Sequence, residues 1–472
     1  MTEMLHHWVT GEAARRGDAT AVVLQDEHLS YGELETLSNQ LARALKERGC
    51  ARGDRVCVLL PKSPLALVCQ LGIYKADCIH VPLEPSASAA TLAHIVGHVG
   101  SHCLLAAGSL APLVRELLAD PGIPSLRLGW LGIPADLQGL PAGFRFSDIG
   151  ALPGTPLAGA HRAQDTAEIR FTGGDAPHGV SLTHANVISF VEWAQRRFRL
   201  DAGDRLASHA PLSHPLSLYD SFGSFAAGAE LHLVPAEHAL LPKRLAEWTR
   251  SSGITHWSSL TDVLDHMARL DVVRPWDFPD LRRVQWHGES LPTGSLDYWM
   301  RHLPHVEFTG FRGPVEAGIA GSYHTVVTFP EPDEAQPYGI ACGTGELLLL
   351  DHNFQEVRPG ETGDLYIKGP GLSSGYWGES EASASAFPRL DRIGRVYRTG
   401  ERLRRGQDGR LYSATATAIS PIKTYAAGME PAERAPYGDW SAWRELSQDA
   451  SGTAAGRTLI KAWTQGGTDT PG

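Results

Sequence analysis

The run Arg55-Val56-Cys57-Val58-Leu59-Leu60 is apolar at nearly every position instead of alternating. A strand of that kind is stable only when both faces are covered, as in a parallel sheet wrapped by helices. The flanking sequence supplies those helices. From Tyr31 to Arg48, Leu34, Leu37, Leu41 and Leu45 recur at helical spacing, and Ser30 with Glu33 is placed as a capping box. The cycle then repeats: a helix over residues 63–75, a strand Ile79-His80-Val81-Pro82-Leu83, a helix from Ala89 and a strand Cys103-Leu104-Leu105. Ahead of it, Ala21-Val22-Val23-Leu24 and Leu29-Ser30-Tyr31 read as short strands about a turn at Asp26-Glu27. Strands and helices alternating at this spacing predict a doubly wound α/β architecture.

Residues 121–161, rich in Gly, Pro and Ala, read as irregular connection. A second α/β cycle follows, with a helix over residues 188–197 and strands at Leu231-His232-Leu233-Val234 and Arg283-Val284-Gln285-Trp286. From Gly345, Glu346-Leu347-Leu348-Leu349-Leu350 and Asp364-Leu365-Tyr366-Ile367 predict a small β subdomain. Beyond Tyr412 the periodicity fades, and the composition from Thr464 to Thr470 is that of a disordered tail. The expected fold class is therefore α/β: two doubly wound α/β subdomains plus a small β subdomain. A formal net charge of −11 argues against a broad nucleic-acid contact surface. The best apolar run, residues 65–74, is broken by Gln70 and Gly72, so no membrane span is expected. The cysteines have no close spacing in sequence and read as buried reduced thiols, not a disulfide framework or zinc site. With no signal-peptide order at the start, a cytoplasmic location is expected.

A series of blocks then stands out. It begins with Tyr74-Lys75-Ala76-Asp77-Cys78-Ile79-His80-Val81-Pro82-Leu83-Glu84-Pro85 and His178-Gly179-Val180-Ser181-Leu182-Thr183-His184-Ala185-Asn186. Gly288-Glu289-Ser290-Leu291-Pro292, Gly313-Pro314-Val315-Glu316 and Gly363-Asp364-Leu365-Tyr366-Ile367 with Gly371-Leu372-Ser373-Ser374-Gly375-Tyr376 follow. Tyr397-Arg398-Thr399-Gly400-Glu401 and Ile422-Lys423-Thr424-Tyr425 complete it. In this order the blocks resemble those of the adenylate-forming (AMP-binding) superfamily, which includes acyl-CoA synthetases and the adenylation domains of peptide synthetases. The resemblance implies ATP-dependent activation of a carboxylic acid as an acyl-adenylate, for transfer to a carrier-protein or CoA thiol, with ATP and Mg2+ as cofactors. It implies that the two α/β subdomains and the β subdomain form a large N-terminal domain over residues 1–403, with the β subdomain at about 340–403. A hinge and the start of a C-terminal domain would follow at 404–434, and a truncated C-terminal remnant, a poorly ordered tail, at 435–472.

Such chemistry needs the leaving phosphates held, the developing charge neutralised and the reactants aligned. By resemblance the phosphate loop is Phe171-Thr172-Gly173-Gly174-Asp175-Ala176-Pro177-His178-Gly179, with Thr172, Gly173 and Gly174 binding nucleotide. His178 takes a catalytic lysine's place, an imidazole where the family has an ammonium, while Asp175 sets a negative charge against phosphate. The other reading is a loop reduced to a structural turn. Glu316 is implied as the catalytic, magnesium-coordinating carboxylate, a donor that hard cation favours; otherwise it is a solvated cleft residue. Gly288, Glu289 and Arg312 fall in the adenine blocks, where Arg312 offers a guanidinium plane in place of an aromatic ring. Glu401 stands for a ribose-binding aspartate, one methylene longer but able to accept both hydroxyl hydrogens.

The substrate pocket implied by the same carry-over is lined by Pro215, Leu216, Tyr219, His287, Phe311, Ile319 and Ala320. Amino-acid-activating members have an aspartate where Pro215 stands, and a buried ammonium without a counter-charge is costly. An aryl or small acyl acid is therefore expected before an ordinary α-amino acid; otherwise these residues fill a collapsed pocket. The usual hinge aspartate falls near Ile419, and Lys461 lacks the context of the carboxylate-contacting lysine. Two functions follow. One is an adenylate-forming ligase of reduced activity, with a small carboxylic acid and a carrier protein or CoA as partners. The other is a non-catalytic homologue serving as a binding or scaffold partner in a biosynthetic assembly.

Overall fold

The computed structural model describes residues 4–123, 125–131, 139–141, 143–173, 177–239, 241–330 and 336–414. They fall into two compact units, one of residues 4–179 and 211–213, the other of residues 180–210 and 214–414.

In the first unit the apolar run becomes the strand Arg55–Leu59 inside a parallel sheet. The strand order is Thr166–Phe171, Ile79–Pro82, Arg55–Leu59, Cys103–Ala107, Arg127–Leu131 and Phe144–Arg145. Helices Tyr31–Glu47, Pro64–Lys75 and Ala89–Val99 lie where the spacing put them, and Thr20–Leu24 pairs antiparallel with Glu27–Ser30. The capping box forms: the Ser30 hydroxyl accepts from the Glu33 N–H at 3.2 Å, and the Glu33 carboxylate accepts from the Ser30 N–H at 2.9 Å. Residues 121–161 correct the expectation of irregular chain, since Arg127–Leu131, Phe144–Arg145 and the helix Phe146–Gly150 all lie there. Leu128, Trp130 and Leu131 are buried and supply an apolar strand that the surrounding Gly and Pro obscured in the sequence.

In the second unit the helix His184–Phe198 starts ahead of the predicted position 188. Thr183 and Asn186 cap it reciprocally, at 3.1 and 2.9 Å. The main sheet of this unit runs Ile340–Ala341, Ser322–Val326, Glu307–Arg312, Arg283–His287, His256–Leu260, Arg205–Ser208, Glu230–Leu233. It is parallel from Glu307–Arg312 onward and antiparallel before that. Alternation along these strands separates two faces. Trp257, Val284, Trp286 and Phe308 pack against Leu264, Leu296 and Trp299 of the helices Thr261–Arg269 and Thr293–His302. The opposite face carries Ser208, Ser258, Gln285 and Thr309 in register, with His287 and Phe311 paired one step along. The strands Glu346–Leu350, Thr362–Lys368, Tyr397–Arg405 and Leu411–Ser413 form an antiparallel sheet around Leu349, Leu365 and Leu403. Among the described residues no helix is long and apolar enough to cross a membrane. The hinge positions Ile419 and Ile422, the tail and Lys461 lie outside the described residues.

Candidate functional site

Glu316 sits in a single helical turn, Val315–Ala317, closed on its far side by Gly318 at φ +96°. A Cβ on Gly318 would lie 2.7 Å from the Gly371 carbonyl oxygen, so only glycine lets the turn fold back. The turn leaves Glu316 only 5% exposed. Its backbone oxygen accepts from the Ser373 N–H at 2.9 Å. Its Oε1 accepts from the Tyr376 hydroxyl at 2.9 Å, and the buried Tyr397 phenol feels the same carboxylate. Burial first, and then the carboxylate beside them, push both phenols above their ordinary range, so they remain protonated donors. Oε2 is buried with no hydrogen-bond partner among the described residues. A buried carboxylate oxygen without a donor is costly, and a hard cation is what such an oxygen lacks. Among the described residues no three His, Cys, Asp or Glu side chains converge in metal-ligand geometry.

Arg312, at the end of Glu307–Arg312, is held by two groups. Its guanidinium contacts the Ser290 hydroxyl and lies 5.3 Å from the centre of the Tyr338 ring. The Tyr338 hydroxyl in turn donates to Glu401 Oε1 at 3.1 Å. The structure thus joins Arg312, the adenine-block residue, to Glu401, the ribose-block residue, through a tyrosine that the sequence reading missed. Tyr338 lies in the segment 336–339, outside every recognised block. Glu401 is exposed as a residue, yet loss of solvent around its carboxyl pushes it above its ordinary range, partly offset by the Tyr338 hydrogen bond and the Arg312 charge. Gly288, at φ +120°, turns the chain after His287, and the Glu289 carbonyl accepts from the Thr261 hydroxyl at 3.0 Å.

The expected phosphate loop belongs to the first unit. Thr172 and His178 close its neck: the Thr172 N–H donates to the His178 carbonyl at 3.0 Å, and the His178 N–H donates to Thr172 Oγ1 at 2.9 Å. Gly173 is half-buried beside the neck, while Gly174 and Asp175 lie outside the described residues. The strand leading into the loop, Thr166–Phe171, holds a charged pair that sequence reading passed over. Glu168 and Arg170 are both fully buried, joined from Arg170 Nε to Glu168 Oε2 at 2.6 Å. Glu168 Oε1 also receives the Tyr74 hydroxyl at 2.6 Å and lies 2.8 Å from His80 Nδ1. Arg170 NH1 donates to the Leu212 carbonyl at 3.0 Å. Burial alone would raise the Glu168 pKa. The charges of Arg170 and His80 and the hydrogen bonds from His80 and Tyr74 outweigh it and hold the carboxyl well below the usual range.

The expected acid-pocket residues gather in the second unit. Pro215 precedes the helix Leu216–Ala227, which presents Leu216 and Tyr219, both fully buried. Phe311 packs its ring against Tyr219, Phe190, Trp193 and Phe198. His287 meets His214 edge-to-face at 5.3 Å, and burial pushes its imidazole down to about 4 despite the backbone of Ile319 and Gly313. Among the described residues, its Nε2, the Tyr219 hydroxyl and the Gln285 amide are buried without a hydrogen-bond partner. Gln285 was not foreseen, although its alternation with Val284 and Trp286 points it to this face. Ile319 and Ala320 close the turn after Glu316, and Ala320 also lines a cavity of about 190 Å³ beside Trp193, Cys342 and Lys368.

A family model described as AMP-binding enzyme matches residues 9–377. The chain belongs to that family. Pyochelin synthetase PchF of Pseudomonas aeruginosa is 30% identical over 404 residues, covering 84% of this chain and 21% of that protein. An L-proline–[L-prolyl-carrier protein] ligase of Pseudomonas fluorescens is 29% identical over 411 residues, covering 86% and 78%. The chain thus spans about a fifth of the length of the curated synthetases it matches first. Among solved structures, the nonribosomal peptide synthetase FmoA3 superposes with a TM-score of 0.77 at 25% identity, covering 87% of this chain and 42% of that one. A benzoate CoA ligase from Burkholderia xenovorans, at 21% identity and a TM-score of 0.75 over 87% and 79%, shares the fold.

Proposed function

We propose that this AMP-binding family member activates a carboxylic acid with ATP as an acyl-adenylate for transfer to a carrier-protein or CoA thiol. The observation that carries the reading is the buried Glu316 carboxylate, oriented by Tyr376 and left with an open oxygen. Magnesium held there would neutralise charge on the phosphates. Thr172 and Gly173 would donate to phosphate, Arg312 and Glu289 would flank the base, and Glu401 would accept from the ribose hydroxyls. The acid would meet a neutral His287 with Tyr219 and Gln285 as polar contacts in a largely apolar wall, which suits an aryl or small acyl acid. Pro215 brings no charge for an ammonium group. The reading keeps the domain divisions at residues 403 and 434 and a cytoplasmic location, where ATP is supplied.

Activity is expected to be low, because His178 replaces a phosphate-gripping cation. Removing one such donor costs roughly 10²–10³ in rate. The engagement of Arg312 by Ser290 and Tyr338 favours a second reading. In it the residues around Arg312 are a satisfied internal network, and the chain is a non-catalytic scaffold partner in a biosynthetic assembly. ATP–pyrophosphate exchange with a panel of aryl, short acyl and amino acids separates the two. Acid-dependent exchange supports the ligase. A flat panel, with no nucleotide-dependent rise in melting temperature, supports the scaffold.

A further inference from the structure

Cysteines that are far apart in sequence meet at one edge of the first unit's sheet. Cys50 lies in the connection after Tyr31–Glu47, Cys78 directly precedes Ile79–Pro82, and Cys103 opens Cys103–Ala107. Those two strands flank Arg55–Leu59 on either side and run parallel to it, so their starting residues share an edge. Cys78 Sγ lies 3.4 Å from the carbonyl of Ala51, the residue that follows Cys50. Cys50 and Cys103 also line a cleft of about 10 Å³ with Asp54, Arg55, His102 and Arg127. That is room for one molecule the size of water. All three cysteines are free and buried.

We propose that Cys50 and Cys103 form a thiol pair that hydrogen peroxide converts to a disulfide. Peroxide is the two-electron oxidant nearest in size to that cleft, which is far too small for bulkier ones such as oxidised glutathione. The Cys50 thiolate attacks one peroxide oxygen, the O–O bond breaks, and the departing hydroxide takes up a proton to become water. The Cys103 thiol then attacks the sulfur of the Cys50 sulfenic acid, the S–S bond forms, and a second water leaves with the Cys103 proton. Two electrons pass from the two thiols to the peroxide. The thiolate is the nucleophile in such a step. Hydrogen bonds from Cys103 and Cys78 hold Cys50 below the ordinary thiol range, against the opposing effect of burial and with the help of the Arg127 charge. Cys57, by contrast, is pushed up by burial to about 12, and burial raises Cys69 as well. Those two are the internal controls.

The test treats the reduced full chain with hydrogen peroxide at pH 7, alkylates the remaining thiols in denaturant and maps peptides by mass without reduction. The expected result is loss of two of the six thiols and a linked Cys50–Cys103 peptide, with Cys57 and Cys69 fully alkylated. With Cys103→Ser, dimedone is expected to trap a sulfenic acid at Cys50. Retention of every thiol at peroxide levels that oxidise free cysteine would overturn the proposal. So would a first oxidation at another cysteine, or a Cys50–Cys78 link. The wild-type map decides the matter even where the variant fails to fold.

Discussion

Replacing Glu168 with glutamine keeps the outline of the buried network and removes its negative charge. Arg170 then stays behind, fully buried, and the new amide gives the Arg170, Tyr74 and His80 side one acceptor oxygen where there were two. Because neither partner is screened by solvent, breaking the pair falls in the range for buried ion pairs, about 3–5 kcal/mol. That is a large share of a domain stability of about 5–15 kcal/mol. Replacing the pair together, Glu168→Gln with Arg170→Met, removes the stranded cation as well and is expected to recover most of the loss. Urea unfolding at pH 7 measures both. The acid limb adds a sign. Glu168 has a folded pKa below its unfolded value of about 4.3, so its contribution is complete above that value. It is lost as pH falls through the folded pKa. The gap between wild type and Glu168→Gln therefore narrows in acid. A loss under about 1 kcal/mol at pH 7, or a gap that widens as pH falls, would refute the reasoning.

Tyr376→Phe removes the donor to Glu316 Oε1 and is expected to weaken magnesium-dependent nucleotide binding by about 10–100-fold, the usual cost of losing such a supporting partner. Calorimetry with a non-hydrolysable ATP analogue reads it, and unchanged affinity counts against the orienting role. His287 and His256 are pushed down to about 4 and about 3, both chiefly by burial, and are neutral in the fold. Their contribution is whole above the unfolded pKa of about 6.5 and lost as pH falls toward the folded values. Melting temperature is expected to drop below pH 6.5, less steeply in His287→Gln; identical slopes would reject the assignment. Ser30→Ala breaks the capping box and is expected to cost about 1 kcal/mol in thermal unfolding, with Ser30→Asp restoring most of it.

The parts of the fold that the sequence made legible are those with a strong local signal. Ser30 and Glu33 mark a helix start through their own chemistry, and Arg55–Leu59 declares its burial by composition. Arg127–Leu131 was hidden because its neighbours are Gly and Pro, so composition overrode a short apolar run. The start of His184–Phe198 was missed because Asn186, not an acidic residue, completes the cap. Among the proposed site residues, Glu316, Arg312 and Glu401 could be singled out because each sits in a block with a pattern. Tyr338 and Gln285 were not, since their roles come from pairings across strands and loops that sequence distance conceals. Glu168 and Arg170 look like an ordinary polar alternation until burial is known. The meeting of Cys50, Cys78 and Cys103 depends likewise on strand order, which no spacing rule reveals.

The clamp on Glu316 is stitched from distant stretches of chain. Tyr376 lies 60 positions downstream of the carboxylate it holds, in a two-residue ribbon, Gly375–Tyr376, whose strand pairing among the described residues is with Val180 and Ser181. Such a short ribbon opens at a fraction of the free energy needed to melt the sheets. On warming, the carboxylate would lose its orientation while the secondary structure is still intact. If Glu316 holds magnesium as proposed, cation affinity should therefore fade several degrees before the fold does.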